Sequence, residues 1–268
     1  TDLEKGFDLE QDPLIRFAVF CLGESQYQVV WSYHHIILDG WSLGNLYAEF
    51  GCFYSARVLD QSVELPSVQP YGQYIEWLER FDADDARTFW ENRLQGLEGV
   101  TSIPVLHRAK GVRPRATGEL TLQLTAERTQ AISSLAHETG VTVSTLLQAV
   151  WAVLLSRYND TTDAVFGTVV SGRPSELGQI EEMVGLFINA IPQRIGIEDE
   201  ISFTDFVRVV QQQAVEAEPY HYYPLAEINT LTPLHQGFFD HLFIFENYPT
   251  DRVISETDTA GDATLSVE

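Results

Sequence analysis

Basic residues are scarce in this chain: 16 Lys and Arg stand against 39 Asp and Glu, a formal charge of −23. Sequence-independent nucleic-acid binding rests on Lys and Arg contacts to phosphates, and a polybasic membrane surface needs the same cations. Both classes of partner are therefore disfavoured. Cysteine is scarcer still. Cys21 and Cys52 are the only two and form no CxxC, which suits a reducing compartment and argues against a thiolate metal site. No apolar run reaches the ~20 residues of a membrane-spanning helix, and no secretory signal opens the chain. The expected location is the cytoplasm.

What is abundant is apolar surface. With 44% hydrophobic and 12% aromatic residues, 268 residues can bury a sizeable core, as one large domain or two lobes. The first residue is Thr1 rather than Met, so the chain reads as a piece of something longer or a processed product.

Periodicity and turn residues divide the chain. Strands are expected at 14–22 and 27–34, joined through Gly23-Glu24-Ser25 as a hairpin. A helix is expected over 42–59, capped by Ser42, and two shorter ones over 71–80 and 85–95. Residues 103–117 change character, with Pro104, Gly111, Pro114 and the cations Arg108, Lys110, Arg113 and Arg115. They read as a linker between lobes 1–102 and 118–268, its charges solvated rather than forming a phosphate site. Beyond lie an expected strand at 119–124, a helix from Thr125 to Gly140, and a helix at 143–158 that is apolar nearly all round and expected to be buried. Strands at 164–170 and 186–194, a helix opening at Ser202 with Asp205 as a capping-box partner, and a strand at 238–245 complete the pattern. The tail 250–268 lacks periodicity. Mixed strands and helices without repeats indicate an α/β class.

One run carries chemistry: Ser32-Tyr33-His34-His35-Ile36-Ile37-Leu38-Asp39-Gly40-Trp41-Ser42. Side chains alternate along a strand, so His34 and His35 cannot both look into one site. Asp39-Gly40 is a turn signal. A strand-to-helix turn of this kind presents polar groups at the mouth of an α/β sheet. The same alternation disfavours a zinc site built from His34, His35 and Asp39, and no metal is expected.

The run resembles the HHxxxDG signature of nonribosomal peptide synthetase condensation domains, within the chloramphenicol-acetyltransferase-like superfamily. Further matches follow in family order: Gly6-Phe7-Asp8-Leu9-Glu10, Tyr71-Gly72-Gln73-Tyr74-Ile75-Glu76-Trp77, Phe89-Trp90, Gly167-Thr168 through Ser171-Gly172-Arg173-Pro174, Val184-Gly185-Leu186-Phe187-Ile188-Asn189, His221-Tyr222-Tyr223-Pro224-Leu225 and Phe245-Glu246-Asn247-Tyr248-Pro249. Trp41-Ser42-Leu43 is closer to the condensation type than to epimerization domains. The family carries a substantial segment before the hairpin, with an arginine-rich motif, and more strands after the last asparagine. The resemblance therefore implies a two-lobed chloramphenicol-acetyltransferase-like sandwich, first lobe truncated and second lobe incomplete.

It also implies a function: a peptide bond formed between a carrier-bound aminoacyl or peptidyl thioester donor and a carrier-bound aminoacyl acceptor, in a tunnel between the lobes. Substrates would arrive on the phosphopantetheine of upstream and downstream peptidyl carrier domains, beside an adenylation domain, with no cofactor bound by this chain. His35 would be the active-site residue, with His34, Asp39 and Gly40 completing the catalytic motif. Gly40 would supply backbone geometry. Arg173 would pair with Asp39, and with Ser42 support the site. Asn247 and Asn189 would position substrate, although Asn189 read by itself satisfies nearby backbone. Tyr71, Tyr74 and Trp77 read as core, and His221 as a packing residue. Two rival readings are an acyl-CoA-dependent acyltransferase of the same superfamily and a non-catalytic docking module or remnant.

Overall fold

A computed structural model describes residues 2–103, 118–232, 234, 237 and 239–246. Most of the 103–117 linker, the 250–268 tail and Asn247 lie outside the described residues. Those described fall into two compact units: residues 2–81 with Ser171–Ile188 and Glu246, and Asp82–Val170 with Asn189–Phe245. The division thus differs from the one expected at 103–117, since packing assigns 82–102 to the second unit.

In the first unit a short helix α1 (Asp2–Lys5) precedes the hairpin β1 (Ile15–Cys21) and β2 (Tyr27–Tyr33). The strands are antiparallel, Ile15 opposite Tyr33 and Cys21 opposite Tyr27. Leu22 N–H donates to Gln26 O at 2.8 Å across the turn. Phe17 lies directly opposite Trp31, rings 5.1 Å apart, a cross-strand aromatic pair of the kind that stabilises such ladders. Trp31 in turn meets Tyr47 edge-on at 5.5 Å, docking the hairpin on α2 (Gly40–Val58). Helix α3 (Gly72–Leu78) contributes Tyr74 to a buried cluster with Ile180, Met183 and Phe187.

The second unit begins with α4 (Ala83–Leu94), whose Asp82 cap accepts from Asp84 and Asp85 N–H. Helix α5 (Ala126–Thr139) is bounded by the Thr125 cap and by Gly140 at φ 72°, a left-handed terminator. Thr142 caps α6 (Val143–Asn159). Strands β3 (Asp163–Val170) and β4 (Asn189–Gly196) pair antiparallel, Asp163 opposite Gly196. Ser202 caps α7 (Phe203–Ala217); its hydroxyl accepts from Asp205 N–H and reaches the Asp205 carboxylate. After α8 (Leu225–Ile228), the two-residue β5 (Leu242–Phe243) adds to β3 in parallel, giving the order β4-β3-β5. The core joins Leu146, Ala149, Ala152 and Leu155 of α6 to Phe166, Ile195, Phe206, Val207 and Val210.

The α/β class stands, with five local corrections. Helix α2 starts two residues early, because Asp39 and not Ser42 is its cap. Residues 119–124 form no strand; Leu120 and Leu122 are 97% and 84% exposed. Alternation alone does not make a strand, whose N–H and C=O groups need a neighbouring ladder. Strand β4 begins only at Asn189, and of the strand expected at 238–245, whose residue 238 lies outside the described residues, only Leu242–Phe243 forms a strand, with Phe239 in an isolated bridge to Thr101. Helix α6 is buried on one side, while Val150, Leu154 and Tyr158 are exposed.

Candidate active site

Strand β2 ends at Tyr33, so both histidines lie beyond it in a turn and strand alternation does not govern them. His34 is the anchored one. Its N–H donates to Leu14 O (2.9 Å) and its carbonyl accepts from Ile37 N–H (3.2 Å). Its Nδ1 accepts from Ile36 N–H at 3.1 Å, which places the proton of the neutral ring on Nε2. The ring also meets Phe7 edge-on at 6.1 Å. His35 follows at the turn's exposed corner. The fold therefore holds one imidazole and presents the other.

What fixes the far end of the turn is Asp39, 1% exposed. Its Oδ1 accepts from Ser42 N–H (3.0 Å) and from Arg173 Nη2 (3.1 Å), with Ser42 Oγ at 2.9 Å; its Oδ2 accepts from Phe187 N–H at 3.1 Å. Asp39 N–H donates to Gly185 O at 3.1 Å. A carboxylate at a helix N-terminus is further favoured by the helix dipole. Both carboxylate oxygens of Asp39 are thus engaged by donors from α2, Arg173 and the 186–187 peptide.

Ser42 is the second hub, fully buried. Its oxygen accepts from Gly185 N–H (3.1 Å) and Arg173 Nη2 (3.2 Å). Its single proton has Asp39 Oδ1 and Gly185 O (2.8 Å) within reach. One donor and two acceptor positions are thus all used.

Arg173 closes the network. Its side chain is 5% exposed and pairs with a fully buried Asp39. Nη1 donates to Met183 O at 3.2 Å and also to Ile180 O, and the guanidinium carbon lies 3.9 Å above the Phe187 ring. Nε is buried and, among the described residues, has no partner. Gly172, at φ 58°, admits this arrangement: a Cβ there would overlap Phe187 O. Gly40, expected to be required for its backbone, is simply the first residue of α2 and lies outside the positive-φ region that Gly172 occupies.

The asparagines fare differently. Both N–H groups of Asn189 donate to backbone, His221 O (2.8 Å) and Tyr223 O (3.0 Å), and its Oδ1 accepts from Ala190 N–H. This ties 221–223 to β4, and the geometry supports that role rather than the expected substrate contact. His221 is held largely neutral, burial pushing it down to about 4. Asn247 is outside the described residues. Among the described residues, no cluster of three His, Cys, Asp or Glu could hold a metal, and no single helix is long and apolar enough to cross a membrane.

Three participants have roles that the sequence does not announce: Gly185, the Phe187 N–H, and the hydroxyl of Tyr71, a residue that reads there as core. Each lies inside a quoted motif, but backbone donors and packing glycines leave no chemical signature of their own.

Comparison with known proteins gives the family. The condensation-domain family model matches residues 1–268, and the chain belongs to that family. It is 44% identical over 248 residues to a plipastatin synthase polypeptide of Bacillus subtilis (strain 168), covering 92% of this chain and 10% of that one. The X-domain from teicoplanin biosynthesis superposes with a TM-score of 0.71 at 27% identity, over 85% of this chain and 53% of that one. The first condensation domain of the CDA synthetase gives 0.71 at 20% identity, over 88% and 52%, a likeness of fold. The chain thus spans about a tenth of the plipastatin synthase polypeptide and about half of each solved chain.

Proposed function

We propose that this chain carries the site at which a condensation domain joins two carrier-bound substrates by a peptide bond. The acceptor's α-amine attacks the donor thioester carbonyl. The C–N bond forms, the C–S bond breaks, and the amine's proton leaves as the phosphopantetheine thiolate is restored to thiol. Peptidyl carrier domains on either side, beside an adenylation domain, would bring both substrates, and this chain itself would hold no cofactor. The observation that carries the reading is His35, exposed at a turn whose far end is locked by a buried, saturated Asp39.

An α-amine of pKa about 7.7–8 is already roughly a tenth neutral at pH 7, so prior deprotonation costs only about 1.4 kcal/mol. Holding amine and thioester in line can contribute roughly 7–11 kcal/mol. His35 therefore acts first by orienting the amine, and then by taking a proton from the tetrahedral intermediate.

The test is His35→Ala in the synthetase module that contains this chain, followed as single-turnover amide formation from pH 6.5 to 9.5. The expected result is a loss of at least about 100-fold that persists above the amine's pKa, with carrier loading unchanged. A wild-type rate would remove His35 from the reaction. Full recovery at high pH would replace orientation by simple base catalysis.

A further inference from the structure

Residues 183–188 belong to no helix or strand, yet the Asp39 and Ser42 network depends on their backbone: Gly185 through both its polar groups, Phe187 through its N–H. No ladder fixes the orientation of these peptides. Something else must.

Leu186 C=O and Phe187 N–H are two ends of one peptide plane. The N–H end donates to Asp39 Oδ2 at 3.1 Å. At the other end, the Tyr71 hydroxyl donates to Leu186 O at 2.6 Å. A trans peptide directs C=O and N–H to opposite sides, so the plane is clamped between a phenol and a carboxylate. A hydrogen bond accepted at the carbonyl also polarises the amide and strengthens what its N–H gives. The ring adds a steric stop. Tyr71 occupies the space a Gly185 Cβ would need, and meets Phe187 edge-on at 5.2 Å. Burial, with the nearby Asp39 charge, raises the Tyr71 pKa further above neutrality, in keeping with a phenol that acts as a donor.

We propose that Tyr71 is a positioning residue of this site: its hydroxyl, acting through the 186–187 peptide, orients the N–H that holds Asp39 and so sets the turn presenting His35. The link from the clamp to catalysis rests on the function proposed above; the clamp itself does not.

The experiment is Tyr71→Phe, which removes one oxygen and keeps the ring. Amide hydrogen exchange is measured on this chain by NMR, and amide formation is measured in the parent module. Exchange at Phe187, Gly185 and Ser42 N–H should quicken about 10-fold while exchange within α2 beyond its first turn stays unchanged. In the module, kcat should fall about 10-fold with the KM for carrier substrates unaltered. p-Aminophenylalanine at position 71, which restores a para donor, should recover both. Unchanged exchange at Phe187, or a uniform rise across the unit, would overturn the clamp. Quickened exchange with an unchanged kcat would leave the clamp intact and overturn its role in positioning His35. Should Tyr71→Phe fail to fold, the p-aminophenylalanine form alone decides, since wild-type exchange at Phe187 is then required.

Discussion

At Asp39, four donor groups lie within hydrogen-bond distance of one buried carboxylate, and the motif's meaning changes accordingly. The residue reads in sequence as a turn former. In the fold it caps α2, pairs with Arg173 and receives the 186–187 peptide. The Arg173 partnership was legible only through the resemblance, because nothing in composition or spacing links positions 134 residues apart. Neither His34 nor His35 could be assigned from strand alternation, since β2 stops one residue short of them. His221 gives the residue-scale prediction. Burial lowers its folded pKa to about 4, against about 6.5 when unfolded. Between these values the unfolded chain binds more protons, so stability present above about 6.5 is lost as pH falls toward 4. Denaturant unfolding should therefore show His221→Phe losing about 2 kcal/mol less than wild type between pH 7 and pH 4.5. Equal losses in the two proteins would contradict the burial account.

Among elements, most helices are legible in the sequence because their ends carry capping residues, although α2 takes Asp39 rather than Ser42 as its cap. Thr125 and Ser202, both legible as caps, each accept a backbone N–H at an N-terminus, and Gly140 terminates α5, whereas the Thr142 cap of α6 emerges only in the fold. Strands are less legible. Residues 119–124 alternate as a strand should, but a ladder is a property of two segments and only one is visible in a local pattern. Helix α6 shows the same limit: its apolar residues cover every side, and only packing decides which side is core. Leu155 is 1% exposed and Leu154 is 42% exposed. Leu155→Ala should cost about 2–5 kcal/mol, as buried Leu truncations do. Leu154→Ala should cost less than about 1 kcal/mol, since little surface is returned to water. Urea unfolding of the two variants checks this, and equal losses would mean that α6 is covered on both sides in solution.

On the scale of the whole molecule, the charge of −23 bears on solubility and partners and says little about fold. The order of motifs along the chain identified the family, and the structure adds how those motifs cooperate inside one unit. Residues 34–42, 71, 172–173 and 183–187 are far apart in sequence, yet they form one hydrogen-bonded assembly around Asp39. This buried assembly, built on the Asp39–Arg173 pair, would hold the turn that presents His35. Removing one partner of a buried pair costs about 3–5 kcal/mol, because the other charge is left uncompensated. A double-mutant cycle with Asp39→Asn and Arg173→Leu tests this most directly, read as unfolding free energy of the chain and as amide formation by the parent module. A coupling of at least about 2 kcal/mol is expected, the double variant being little worse than either single one in both readouts. Strictly additive losses would contradict it.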